Sequence, residues 1–429
     1  MTEKSRIGSI DVLRGVAVLG ILAMNIYAYA MPFAAYYNPL LWGGTDTLSK
    51  SIWFGTHLLV DQKFLPVFSM LFGAGLILMT ERSAAGKFAG TWYRRNFWLL
   101  VMGALHAYLI WFGDILFGYA FLGLLIYPLR RKKAKTLLIL GSIWMLPALA
   151  MSTAGSFWIE KMIAEGNQVE IRAEAGEELT EEETKDLEKW RQQRHMMAPT
   201  AEDLEADVQA YRGSYGDVVT HRGPAVVMLQ TMGIVFFGLW RIGGFMLIGM
   251  GLMKLGVFSA RKDGAFYRRL LLWGYGLGLP LVAISAWQLA THDWNFVFTQ
   301  RQGMHWNYVG SVLVSLGHIS VIMLAMKGDW LGSLERRFAA VGRMAFTNYL
   351  MQSILCTTIF YGYGFGLYGS LDRPAQMIIV LAVWALQLWY SAWWLDRFHY
   401  GPTEWFWRLL TYGKVPAFRR EVARPTARI

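Results

Sequence analysis

The chain has 429 residues, 55% of them hydrophobic, including 20 Trp, 25 Phe and 22 Met, with a formal net charge of +11. That apolar share is foreign to a water-soluble protein of this length, and the single cysteine, Cys356, excludes a disulfide within the chain and a thiolate metal centre. The basic excess does not mark a nucleic-acid binder: residues 155–224 hold 16 acidic against 8 basic residues, a net −8, which leaves +19 beside the apolar segments.

Crossing a bilayer takes about 20 apolar residues, and helices are the default because each backbone polar group must be paired inside its own segment. The pattern predicts spans over 13–33, 52–80, 93–112, 114–129, 136–154, 225–253, 266–290, 305–326, 338–361 and 374–396. Lys4, Arg6 and Arg14 before the first apolar run resemble a signal peptide, but nine further spans follow and the helix reads as retained. Basic residues crowd every second connection: Arg82, Lys87, Arg94 and Arg95, then Arg130 to Lys135, then Lys254 to Arg269, then Lys327, Arg336 and Arg337, and finally Arg408 to Arg420. Because Lys and Arg stay cytoplasmic, both termini are expected inside. The expectation is an all-α polytopic membrane protein: a five-helix bundle (1–154), an acidic extracytoplasmic segment (155–224), a second five-helix bundle (225–396) and a basic aromatic cytoplasmic tail (397–429). In the insertion, Thr180 with Glu183 makes a capping box, and Thr200 with Asp203 starts a second amphipathic stretch, so two surface helices are expected, as a lid or a dimer contact.

Ionisable groups inside spans are costly and are functional-site candidates by default. In the first span, Arg14 and Asn25 are eleven residues apart and share a face; Arg14 either pairs with Asp11 or binds a phosphate. His57 and Asp61 are four apart, a spacing that suits a general base with its orienting carboxylate or a buried ion pair. His106 ends the third span and Asp114 follows the turn Trp111-Phe112-Gly113, at the same expected depth as His57 and Asp61. Arg241 lies mid-span, and Arg343 opens the ninth span ahead of Asn348 and Gln352; with Arg14 these arginines form either a cationic pocket or separate salt bridges. His305 sits near the outer boundary of its span, while His318, deeper, reads as a helix-bridging hydrogen-bonder. Gly73-Ala74-Gly75 and Gly362-Tyr363-Gly364 read as close helix packing. No histidine–carboxylate set has zinc spacing, and no serine sits in a hydrolase-type elbow.

The stretches Asp11-Val12-Leu13-Arg14-Gly15 with Asn25, Leu105-His106-Ala107-Tyr108 through Asp114, Gly342-Arg343-Met344-Ala345-Phe346-Thr347-Asn348 through Ser353, and Gly401-Pro402-Thr403-Glu404-Trp405 resemble the YeiB family of bacterial inner-membrane proteins across nearly the whole chain. The opening, and Asp61-Gln62-Lys63-Phe64-Leu65-Pro66, are similar to a wider superfamily of transmembrane acyltransferases that includes heparan-alpha-glucosaminide N-acetyltransferase. The resemblance implies an acyl-coenzyme A type donor reached from the cytoplasm, a glycan or lipid-linked acceptor on the far side, contact with membrane lipids and a homodimer. One departure stands out: Ser51 occupies the place of the superfamily's histidine about ten residues before this Asp, so His57 or His106 would serve instead. A transporter or lipid-binding export factor using the buried charges as a relay is the alternative expectation.

Overall fold

A computed structural model describes residues 8–82, 88–197 and 199–420; Lys4, Arg6, Lys87 and the last nine residues of the tail lie outside it. The first half comprises α1 (Gly8–Ala30), α2 (Ala34–Tyr37), α3 (Thr47–Leu59), α4 (Phe64–Arg82), α5 (Phe88–Leu109), α6 (Leu116–Ile126, continued by a 3₁₀ turn to Arg131), α7 (Ala134–Trp144) and α8 (Leu146–Glu174). Next come α9 (Glu181–Met197), α10 (Ala201–Arg212), α11 (Tyr215–Met228), which runs through a π-helix at Leu229–Gly238 into α12 (Leu239–Lys254), and α13 (Gly264–Thr291). The chain closes with α14 (Phe296–Phe298), a π turn at Thr299–Gly303, α15 (His305–Lys327), α16 (Ser333–Arg343), α17 (Ala345–Phe360), α18 (Arg373–Arg397) and α19 (Pro402–Tyr412).

Among the described residues, seven helices or stacked helix pairs are long and apolar enough to cross a membrane: Gly8–Ala30, Thr47–Glu81, Ala134–Glu174, Tyr215–Lys254, Gly264–Thr291, His305–Lys327 and Arg373–Arg397. Large apolar side chains such as Leu272, Trp273, Trp287 and Ile378 face outward on α13 and α18. In water such a surface would drive association, whereas lipid accepts it. The chain is a multi-pass membrane protein. The expected spans at 93–112, 114–129 and 338–361 are also helical, but α5, α6, α16 and α17 are shorter or more polar than those seven.

Three expected spans are not single helices: 338–361 divides at Met344 into α16 and α17, and the other two break beside prolines. Residues 52–80 break at Val60–Lys63, where Gln62 takes φ +61°. Pro66 explains it: its ring excludes a helical carbonyl four residues earlier, at Gln62. Pro147 does the same to 136–154, dividing it into α7 and α8, and α8 then continues to Glu174. Residues 155–224 hold more than the two expected helices: α9 and α10 are joined by the end of α8 and the start of α11. The boxes at Thr180–Glu183 and Thr200–Asp203 form as expected, and Ser214 with Asp217 adds a third.

The helix α1 lies at the centre, with 83% of its apolar window buried against 28% for α13 and for α18. It packs on α4, α16, α17 and α18. Glycines permit the closest approaches: a Cβ on Gly15 would collide with the Phe338 carbonyl of α16, and one on Gly342 with the Asp11 carbonyl of α1. Gly73 and Gly249 do the same between α4 and α12. This is small-residue packing, which replaces the hydrophobic drive that lipid cannot supply.

Candidate functional site

The C-terminal end of α5 is where local structure creates a chemical arrangement. Arg222 of α11, 1% exposed, donates to the carbonyls of Ile110 and Tyr108, and Tyr215 donates to that of Leu109, so the end of α5 is satisfied and roofed by α11. The turn at Trp111–Ile115 then returns Asp114 beside His106, where Gly103 leaves it room. One carboxylate oxygen, Oδ1, accepts the Phe117 N–H at 2.7 Å and starts α6; the other, Oδ2, lies 2.7 Å from His106 Nδ1. Across the ring, His106 Nε2 is 2.9 Å from Ser353 Oγ of α17, and Ser353 Oγ is 2.7 Å from the Tyr29 hydroxyl of α1. With Asp114 ionised, Nδ1 carries the proton and donates it to the carboxylate, which leaves Nε2 to accept from the serine. All of these side chains are buried.

A cavity of about 260 Å³ lies beside this group, with Ile115, Leu116 and Tyr349 in its wall and His106, Asp114 and Ser353 behind it. Arg14, Arg95, Arg343 and Arg408 line it together with His399 and Glu404; apolar side chains, among them Phe72, Leu99, Leu116 and Phe346, line the rest. Tyr349 also lines it, and its ring centroid is 5.3 Å from that of His106. Arg14 is 3.3 Å from Asp11, and Arg95 lies 3.6 Å over the Trp407 ring. Glu404 is occupied elsewhere: it accepts the N–H groups of Phe346 and Thr347 and the Thr347 hydroxyl, and so caps α17 from the neighbouring α19. Burial pushes the Glu404 carboxyl up, against the pull of those hydrogen bonds. Four guanidiniums around an apolar bore suit an anionic amphiphile.

The other His–carboxylate pair forms a separate cluster. His57 Nδ1 is 3.3 Å from Asp61 Oδ2, and the Asp61 carboxylate also accepts from Tyr36 at 3.0 Å and Asn307 at 3.4 Å. Lys63, fully buried, donates to the Asn307 side chain at 2.8 Å and to the His57 carbonyl. His57 stacks on Trp53 with centroids 4.9 Å apart, and its Nε2 has no hydrogen-bond partner. The two pairs, expected at one depth, thus form two clusters with no shared partner among the described residues, because spacing assigns depth and leaves the direction around each helix open. The tighter pair, with a hydroxyl on the far nitrogen, is His106.

A family described as a protein of unknown function (DUF418) matches residues 252–414. The uncharacterized protein YxaH of Bacillus subtilis is 30% identical over 425 residues, spanning 95% of this chain and 94% of that one. The uncharacterized protein YeiB of Escherichia coli is 30% identical over 424 residues, spanning 94% and 95%. The chain belongs to the YeiB family. A more distant relative, an uncharacterized 39.9 kDa protein of Bacillus acidopullulyticus, is 23% identical over 411 residues.

In this YeiB-family protein the remaining candidates fall in different places. Arg14 and Arg343 line the same cavity, but Arg241 does not; fully buried on α12, it donates to the Tyr308 carbonyl and the Ser311 hydroxyl and lies 3.9 Å over the Tyr308 ring. Asn25 is half-buried on α1 and is not among the residues lining the cavity. Asn348 binds the α16 end and α18, through the Val341 carbonyl and the Ser391 hydroxyl. His305 is 3.5 Å from the Thr153 hydroxyl and lines a second cavity of about 320 Å³ beside the π-helix. His318 bridges helices as expected, between the Tyr275 hydroxyl and the Leu59 carbonyl. Sequence reasoning gave no place in the site to Ser353, Tyr29, Tyr349, Arg408 or Glu404. Ser353 stands 247 residues from His106, and no spacing rule spans that separation.

Proposed function

We propose that the protein is a membrane-embedded acyltransferase that takes an acyl group from an acyl-coenzyme A type donor and passes it to an envelope glycan or lipid-linked acceptor. The observation that carries this reading is the cavity: four guanidiniums line it, and Tyr349, also in its wall, has its ring 5.3 Å from that of His106. Donor phosphates would rest against Arg14, Arg95, Arg343 and Arg408, with the acyl chain in the apolar bore. His106 is the general base, and Asp114 holds its tautomer and stabilises the imidazolium that forms. The motif likeness to transmembrane acyltransferases supports the same assignment, with His106 taking the role left open at Ser51. In this reading the chain makes ten passes in the bacterial inner membrane as a homodimer, with both termini and the arginines cytoplasmic and residues 155–224 outside.

The test is release of free coenzyme A from palmitoyl-coenzyme A by protein in nanodiscs supplied with envelope lipid. His106→Ala is expected to lose about a hundredfold to ten-thousandfold in turnover while still binding donor; wild-type turnover in that variant removes His106 from the mechanism. A second reading, a transporter, is favoured by one observation: the broken helix between α3 and α4 that carries Asp61 and Lys63. It requires pH-gradient-dependent uptake into proteoliposomes with the substrate chemically unchanged, and His57→Ala rather than His106→Ala as the disabling change.

A further inference from the structure

What His106 faces is a side chain of the protein itself. We propose that Ser353 is a nucleophile, so that the acyl group is carried as a serine ester between donor and acceptor. This rests on the acyl-transfer reading for the identity of its donor, and on separate geometry for the serine. A serine hydroxyl is a weak nucleophile until a base within hydrogen-bond reach takes its proton and a third group orients that base. Here Ser353 Oγ is 2.9 Å from His106 Nε2, and His106 Nδ1 is 2.7 Å from Asp114. The three residues come from α17, α5 and the turn before α6, and all are removed from solvent.

The surroundings favour a reactive serine over a merely satisfied one. Tyr29 OH, 2.7 Å from Oγ, fixes the serine rotamer from the opposite side and is a positioning residue. Trp111, stacked on Tyr29 with centroids 4.0 Å apart and 2% exposed, keeps an indole N–H without a hydrogen-bond partner. Access comes from Tyr349, one helical turn before Ser353. It lines the cavity, and its hydroxyl makes two long contacts, 3.2 Å from the Ile115 N–H and 3.4 Å to the Gly113 carbonyl. Acylation of Ser353 requires this ring to swing aside, which would open the cavity wall toward the serine.

The step balances without metal or redox partner. Ser353 Oγ attacks the thioester carbonyl as its proton passes to His106 Nε2. The C–S bond then breaks, and His106 returns the proton to the leaving thiolate, giving a free thiol and an acyl-serine. In the second half the acceptor hydroxyl gives its proton to Nε2 and attacks the ester carbonyl; the C–Oγ bond breaks and Ser353 recovers its proton.

An alkyl fluorophosphonate, which reports an activated serine whatever the natural donor, is incubated with the full chain in nanodiscs and the adduct is mapped by peptide mass spectrometry. The expected adduct is on Ser353, with labelling slowed on the order of a hundredfold or more in His106→Ala and Asp114→Asn. An unlabelled wild type, under conditions that label a serine hydrolase, overturns the proposal. Palmitoyl-coenzyme A supplies the second arm: Ser353→Ala is expected to lose turnover, and Ser353→Cys to trap a hydroxylamine-labile acyl-enzyme, which also shows that the position tolerates substitution. Turnover retained in Ser353→Ala overturns the covalent step and leaves the acyltransferase standing. A fluorophosphonate adduct on Ser353 without thiol release from acyl-coenzyme A upholds the serine and overturns the donor assignment.

Discussion

Asp114 decides what His106 can do, and its two oxygens are committed to different tasks. Oδ1 takes the Phe117 N–H and Oδ2 faces His106 Nδ1. In Asp114→Asn the amide oxygen goes to the Phe117 N–H, because only an oxygen can accept there, and the NH₂ group is turned toward the imidazole. The ring must then accept at Nδ1 and carry its proton on Nε2, where it can no longer take one from Ser353. Loss of the correct tautomer costs on the order of 10⁴ in kcat. Under the proposed acyl transfer the expected outcome is therefore a collapse of kcat with donor KM nearly unchanged, whereas Arg343→Ala raises KM with kcat largely kept. Equal effects of the two changes on both constants would mean that they do not act at separate ends of one site.

At the level of elements, two prolines and one glutamate shape the site's frame. Pro66 and Pro147 break helices that hydropathy alone draws as continuous, and the first break places Asp61 and Lys63 on irregular backbone. Glu404 staples the tail helix α19 onto the first turn of α17, the helix that carries Asn348, Tyr349 and Ser353. Residues 155–224 are held by charge. Arg194 of α9 donates to Glu170 at 2.6 Å and to both oxygens of Asp203, and Arg172 donates to Glu183 at 2.6 Å. The Glu183 carboxyl is lowered to about 2, chiefly by the Thr180 N–H and then by Arg172. A carboxyl lowered by folding stabilises the folded state above the ordinary glutamate range and ceases to as pH falls through its folded value. Pepsin, corrected for its own pH profile, is expected to cut between residues 175 and 190 faster at about pH 2 than at about pH 4.5. The rise should be absent in Glu183→Gln; a flat profile in the wild type would show that this cap does not hold α9.

Across the whole molecule, one central helix organises the parts. The buried α1 presents Arg14 at one end to the cavity and Tyr29 at the other to Ser353, while α11 closes over the turn after α5. The proposed orientation is testable with single cysteines in a Cys356→Ser background. Glu178→Cys is expected to react with a membrane-impermeant maleimide on spheroplasts, and Lys414→Cys only after permeabilisation; the reverse pattern inverts the protein and moves the arginines outside. Much of this was legible in the chain. Segment length and hydropathy announce an all-helical membrane protein, because lipid leaves the backbone no other partner, and the Thr180 and Thr200 boxes start their helices where local hydrogen bonding predicts. His106 with Asp114 was legible too, since a tight turn lies between them. Which helices meet was not. Arg241 shares its chemistry with Arg343 but not its cavity, His57 and His106 share an expected depth but not a partner, and Ser353 joins His106 only through the packing of α17 against α1 and α6. Periodicity states how far along a helix a residue sits; the direction it faces, and the partner it finds there, come from how glycines such as Gly15 and Gly342 let the helices close.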